Sequence, residues 1–305
     1  MDTRILVPLD GSPSAEAALA DGVAIARRRK CGLLLLHVVA LDTGERTYRF
    51  HRSAAHPAVE GAEQAAAYLQ SVQQRLAAHG VAAEILVDEG DPAMRIIDRV
   101  GHDDAVDMVA MATHGRGGLR RWLMGSVADK VFRAVHKPLL LLRPEDTAAT
   151  QELDKQYQTI MVPLDGSPTA AQALWYAQDL AEEMQARLVL VGVAPELEDL
   201  LLGVGDTFPL WMNDSLQQQK ANLQDYLASA AANLASTRLP VETRVVSGLP
   251  AEAILKACKD CRADILVISS HGRSGFQRLW YGSVATKLVH SAQVPLLLIN
   301  AGAAG

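Results

Sequence analysis

The chain contains itself twice. "ILVPLDGSPSAEAAL", from Ile5 to Leu19, returns as "IMVPLDGSPTAAQAL", from Ile160 to Leu174. "THGRGGLRRWLMGSVADKV", from Thr113, returns as "SHGRSGFQRLWYGSVATKL", from Ser270, and "KPLLLLR" (Lys137 to Arg143) returns as "VPLLLIN" (Val294 to Asn300). Asp10 maps to Asp165, 155 positions on, and Gly125 to Gly282, 157 positions on. The net length change between these landmarks is thus two residues. The period is too long for a solenoid repeat. It has the length of a whole domain. The expected division is a domain over 1–145, a linker over 146–156 and a second domain over 157–305. The linker lies in the polar stretch "PEDTAATQELDKQ", Pro144 to Gln156.

Each copy alternates short apolar runs with amphipathic stretches. In the first, "RILVPLD", "GLLLLHVVA", "AAEILVDEG", "VDMVAMATHG" and "PLLLLRP" read as strands. Between them lie helical patterns with a basic last turn ("ARRRK"), a closing glycine (Gly80) or a proline at the start (Pro92). Strict β–α alternation with apolar strands predicts a parallel sheet covered by helices on both faces. Ligands of such sheets bind beyond the carboxyl ends of the strands, where the strand order reverses. The loops "PLDGSP" and "ATHGRGG" belong there. They repeat more faithfully than the middle helices do, which points to function in the loops.

Bulk properties narrow the class. Of 305 residues, 49% are hydrophobic and 21% charged, with a net charge of -6. That balance gives no reason to expect a nucleic-acid or anionic-membrane partner. The opening "MDTRILVPLDG" has no basic, long-apolar leader pattern, and no apolar run reaches bilayer-spanning length. Three cysteines make no disulfide framework. A cytoplasmic location is expected.

The nucleotide fingerprints G-x-x-x-x-G-K-[ST] and G-x-G-x-x-G after the first strand are missing. Instead, Gly115 leaves the fourth strand, nine residues follow, and Gly125-Ser126 opens a helix. Unpaired helix-start amides, a close backbone approach at glycine and a serine hydroxyl suit phosphate oxygens. The same letters have a second reading. Ser126-Val127-Ala128-Asp129 is S-x-x-D, a relative of the capping box, which starts a helix without any ligand. Ser283-Val284-Ala285-Thr286 lacks the acidic residue.

Taken together, V-P-L-D-G-S, T/S-H-G-R, G-S-V-A and the closing P-L-L-L strand resemble the universal stress protein family in its tandem form, over nearly the whole chain. The family's nucleotide-binding members carry G-x2-G-x9-G-[ST]. Here the first glycine is replaced by the small residues Ala112 and Ser269, and the rest matches in both copies. The resemblance implies two doubly wound open sheets of five strands, order 3-2-1-4-5. It also implies pairing of the fifth strands into an intramolecular pseudo-dimer, with a further homodimer left open.

The resemblance also implies a site for ATP, with or without Mg²⁺. Asp10 and Asp165 would contact the nucleoside end. Pro8 and Pro163, Val38 and Val193, and Met111 and Ile268 would border the base. Phosphates would lie on Gly115, Gly125, Ser126 and Val127, and on Gly272, Gly282, Ser283 and Val284. Arg116 and Arg273 follow the middle glycine and are either phosphate partners or solvated arginines. Met111 and the His37-Val38 strand end favour the first copy as the base pocket.

Other residues fit plainer roles. His114 and His271 read as loop-stabilising, and His37 as a structural histidine at a strand end. Cys258-x-x-Cys261 is half a zinc motif with no second pair, so both cysteines read as structural. The segment from Glu196 to Ser215, apolar with Phe208 and Trp211, is a lid, a partner patch or a piece of its own domain. "VPLD" also looks like a phosphoacceptor strand, but no lysine closes the fifth strand. The expected function is nucleotide-regulated stress response without catalysis. The alternatives are a nucleotide-independent chaperone-like scaffold, or slow ATP hydrolysis or self-phosphorylation at Ser126 or Ser283.

Overall fold

The computed structural model describes residues 3–40, 61–113, 124–143, 153, 155–196, 210–234, 239–269 and 282–300. The chain divides into two compact units, Met1–Gln156 and Tyr157–Ala304. In the first, β1 (Arg4–Pro8), α1 (Pro13–Arg29), β2 (Gly32–Val39), α2 (Ala62–Ala78) and β3 (Ala83–Glu89) come in turn. They are followed by α3 (Pro92–His102), β4 (Val106–Ala112), α4 (Ser126–Ala134) and β5 (Leu139–Leu142). All pairings among these strands are parallel, in the order β3-β2-β1-β4-β5.

The second unit repeats the plan. It runs β6 (Thr159–Pro163), α5 (Pro168–Met184), β7 (Arg187–Ala194), α6 (Leu210–Asn233), β8 (Val241–Ser247), α7 (Pro250–Asp260), β9 (Ile265–Ser269), α8 (Ser283–Ser291) and β10 (Leu296–Ile299). Its sheet is ordered β8-β7-β6-β9-β10, again parallel. This is the doubly wound α/β class expected from the alternation.

The central strands explain themselves. Ile5, Leu6 and Val7, Leu33 to Leu36, and Met108 to Ala110 are almost wholly buried, because helices cover both sheet faces. The edge strands β3 ("AEILVDE") and β8 ("VETRVVS") carry charge and are only half-buried, which blunts their open edges. Right-handed crossovers place α1 and α2 on one face of the first sheet and α3 and α4 on the other. Glu16 of α1 accepts from Tyr68 and Arg75 of α2, and Lys130 of α4 reaches Asp91 of α3 at 3.0 Å.

Local chemistry sets the helix ends. Pro13 and Pro168 occupy the first turns of α1 and α5, and Ser12 and Ser167 cap them by accepting from Ala15 and Ala170. Both helices end in a left-handed residue, Lys30 and Gln185. α2 ends two residues before the closing glycine of the sequence pattern. His79 is its C-cap, and Gly80, at φ +73°, takes the left-handed position beyond it. Past β5, Lys155 binds the buried Asp21 at 2.7 Å, and Arg27 donates to the Leu153 carbonyl at 3.2 Å. The end of the linker is thereby fastened to α1.

Candidate functional site

Strand register builds the site. Leu6 pairs with Val109 and Pro8 with Leu36. Pro8 and Met111 each lie two residues beyond the Leu6–Val109 pair, and Val38 lies two beyond Leu36. These three residues therefore share the carboxyl edge of β1, β4 and β2. The second unit does the same. Met161 pairs with Leu266 and Pro163 with Val191, which brings Pro163, Ile268 and Val193 to the matching edge. Val7 is fully buried, whereas Pro8 and Val38 are half-buried, so apolar surface comes to light just where the strands end. β1 sits between β2 and β4, the point where strand order reverses.

The turn after β1 holds the aspartate. Leu9 extends the ladder by donating to the Leu36 carbonyl at 2.8 Å. Gly11 then turns at φ +81°, and Gly166 at φ +80° in the second unit, a conformation that glycine adopts without strain. Asp10 Oδ1 accepts from the Ser12 amide at 2.9 Å and from its hydroxyl at 2.6 Å. Asp165 Oδ1 accepts from the Ser167 amide at 2.9 Å, while the Ser167 hydroxyl lies 3.0 Å from that of Thr169.

The start of α4 differs from the capping-box reading. Its N-cap is Gly125, not Ser126, and no side chain caps the helix. Asp129 does not reach back to close a box. It sits in an ion pair with Arg133 at 2.9 Å. α8 starts in the same way on Gly282. The two glycines have φ of -61° and -68°, which any residue can adopt. They are therefore not there for a turn. An N-cap without a side-chain acceptor leaves the first-turn amides without a capping side chain among the described residues, so they can serve a ligand. Gly125 is anchored by its own amide, which donates to the Thr113 carbonyl at 2.8 Å, and Thr113 donates to Leu142 at 2.7 Å. Ser126 and Ser283 are exposed at the first helical position, and Val127 and Val284 are half-buried behind them. Gly115, Arg116, Gly272, Arg273, His114, His271 and residues 197–209 lie outside the described residues.

Lys137 plays no part at this edge. Its ammonium binds the carbonyls of Asp103, at 3.0 Å, and Val106, at the amino end of β4. No cluster of three or more metal-ligating side chains occurs among the described residues. Cys258 and Cys261 are buried free thiols, and Cys261 Sγ lies 3.8 Å from Met161 Sδ. Burial, and then the neighbouring Cys261, push the Cys258 thiol up to about 12. The folded state thus favours the neutral thiol. Its stabilising contribution is full below the ordinary value near 9 and is lost as pH climbs toward 12. At pH 8, a thiol reagent should modify the half-exposed Cys31 of the native protein. It should leave Cys258 and Cys261 at least roughly 100-fold slower until the chain is unfolded. Rapid native modification of all three cysteines would contradict that placement.

Sequence reasoning missed one group. Glu16, Tyr68 and Arg75 meet beside the Asp10 turn, and Tyr68 packs edge-on to His37 with ring centroids 6.1 Å apart. Their residues are scattered over two helices and a strand, so no spacing signalled them.

The universal stress protein family model matches residues 1–143 and, a second time, residues 156–300. The chain belongs to the universal stress protein family. Universal stress protein Rv2005c of Mycobacterium tuberculosis is 27% identical over 307 residues, which cover 96% of each protein. Universal stress protein Rv1996 of the same organism is 28% identical over 314 residues, or 96% of this chain and 94% of that one. A universal stress protein structure from Archaeoglobus fulgidus superimposes with a TM-score of 0.69 at 20% identity, covering 98% of this chain and 99% of that one. That likeness is one of fold. This is therefore a tandem universal stress protein, a stress-response protein with two α/β units. Among the described residues, no helix is long and apolar enough to cross a membrane.

Proposed function

We propose that this universal stress protein binds adenine nucleotide, ATP in the first instance, at the carboxyl edge of each sheet, and that occupancy is a signal rather than a step in catalysis. One observation carries the reading. In both units the helix after the fourth strand starts on a glycine N-cap with ordinary φ and no side-chain cap, at the edge that gathers the aspartate and the apolar strand ends. Open amides and the positive end of the helix dipole suit phosphates. Pro8, Val38 and Met111, or Pro163, Val193 and Ile268, offer apolar surface to a base. Asp10 or Asp165 can accept from a base or ribose donor. Gly115, Arg116, Gly272 and Arg273 complete the set that the family pattern supplies.

Ser126 and Ser283, exposed at the first helical position, are the hydroxyls that would accept a phosphoryl group if one were transferred. Protein purified without added ligand should release adenine nucleotide on acid extraction, and ATP should titrate in calorimetry with saturable heat. Metal-dependent release of phosphate in the same samples would make the protein a slow ATPase. No nucleotide and no heat would reduce the Gly-Ser turns to helix starts.

A further inference from the structure

In the first unit a hydrogen-bonded chain runs from the Asp10 carboxylate into α2. Asp10 Oδ1 takes both the amide and the hydroxyl of Ser12. The Ser12 carbonyl accepts from the Glu16 amide at 3.2 Å. The Glu16 carboxylate accepts from the Tyr68 hydroxyl on Oε1 at 2.9 Å and from Arg75 on Oε2 at 2.6 Å. Tyr68 rests edge-on against His37, which is buried on β2 next to Val38. α2 thus braces the turn that carries Asp10 from behind. Burial first, and then the Glu16 charge, raise the Tyr68 phenol far above its ordinary range, which holds it in its protonated, donating form.

The second unit keeps a tyrosine, Tyr226, at the matching place in α6 but lacks the carboxylate and the imidazole of this brace. Glu16 lies three residues after Pro13, and the residue three after Pro168 is Ala171. His37 is the sixth residue of β2, and the sixth residue of β7 is Gly192. A Cβ at Gly192 would lie 2.7 Å from Leu223 Cγ, so an α6 leucine fills the space into which the His37 side chain extends in the first unit. The acidic acceptor and the imidazole of the first unit are thus an alanine and a glycine in the second.

We infer that Tyr68, acting through Glu16, is a positioning residue for the Asp10 carboxylate, and that this brace makes the first unit's nucleotide site the tighter of the two. The inference rests on the nucleotide reading above. Its consequence is a graded response, with the first unit filling at lower ATP concentration than the second.

Single-site proteins test it. Gly282→Phe leaves the first site and Gly125→Phe the second, and ATP and tripolyphosphate are titrated into each by calorimetry. The first site should bind ATP roughly fivefold more tightly than the second, the scale of one ordinary net hydrogen bond. Tyr68→Phe in the first-site protein should weaken ATP by a similar factor and leave tripolyphosphate unchanged, because only the nucleoside end meets Asp10. Glu16→Ala should match Tyr68→Phe. Glu16→Gln keeps an acceptor for the phenol and should stay within about twofold of the parent. In an Asp10→Ala background Tyr68→Phe should add nothing, the mark of a residue acting through another. Equal weakening of ATP and tripolyphosphate would mean general loosening and overturn the inference, as would ATP binding that ignores Tyr68. Absence of ATP binding in both single-site proteins and the parent overturns the nucleotide reading, and this inference with it.

Discussion

On the nucleotide reading, Gly125→Phe should weaken ATP binding in the first unit and Gly282→Phe in the second, each by more than roughly 30-fold, about 2 kcal/mol of binding free energy. The fold should survive both changes. At φ -61°, ψ 151° and φ -68°, ψ 153° the backbone is open to any residue, so no strain follows. The hydrogen bond that anchors the start of α4, from the Gly125 amide to Thr113, is a main-chain bond and does not depend on the side chain. Stability should move by less than about 1 kcal/mol, the range of N-cap exchanges. What the phenyl ring takes away is room in front of the first-turn amides. Gly125→Asp separates space from charge. It supplies a cap and a repelling carboxylate, so the helix should gain stability while ATP is lost. Calorimetry and thermal melts on the same samples decide. Variants that melt like the parent and still bind ATP like it would leave these glycines without a part in ligand binding.

Gly192→His puts the first unit's residue into the second and should destabilise the protein by about 2–3 kcal/mol, a typical cost of overpacking. For a unit of this size that is roughly 5–10 °C in Tm. The reason is local. The new Cβ would meet Leu223 Cγ, Cδ2 and Cδ1 at 2.7, 2.8 and 2.9 Å, and nothing in a side chain held by α6 lets all three atoms withdraw. Leu223→Ala in the same chain should recover most of the loss. The recovery is non-additive because the two residues share one space. A Gly192→His protein as stable as the parent would show that Leu223 has another place to go. The converse holds in the first unit, where Tyr68 stands off from His37 and leaves room for the imidazole.

The helix starts show where local sequence stops being enough. Ser12 and Ser167 cap their helices inside the D-G-S-P stretch, where glycine, serine and proline act through backbone geometry within four residues. Ser126 looks like a better cap than Gly125, yet Gly125 is the cap. The difference is set by where β4 ends, since the Gly125 amide is spent on Thr113 and the helix can begin only after it. Lys137 is another case. Its neighbours in sequence place it near a strand, but only the crossover of the chain between Asp103 and β4 decides that it serves carbonyls at the amino edge, away from Asp10.

Sequence alone determined the architecture: two copies of a β–α alternation, parallel sheets buried on both faces, and the aspartate and glycine loops on one edge. Those properties follow from hydrophobic period and turn chemistry, which act over a few residues and which the repeat states twice. Tertiary structure alone decided what the differences between the two copies touch. Glu16 meets Tyr68 across 52 positions, and Gly192 yields its space to Leu223 across 31. Contacts between separate elements are fixed by packing of whole helices on a sheet, and no local pattern in the chain encodes which side chain will fill a shared space.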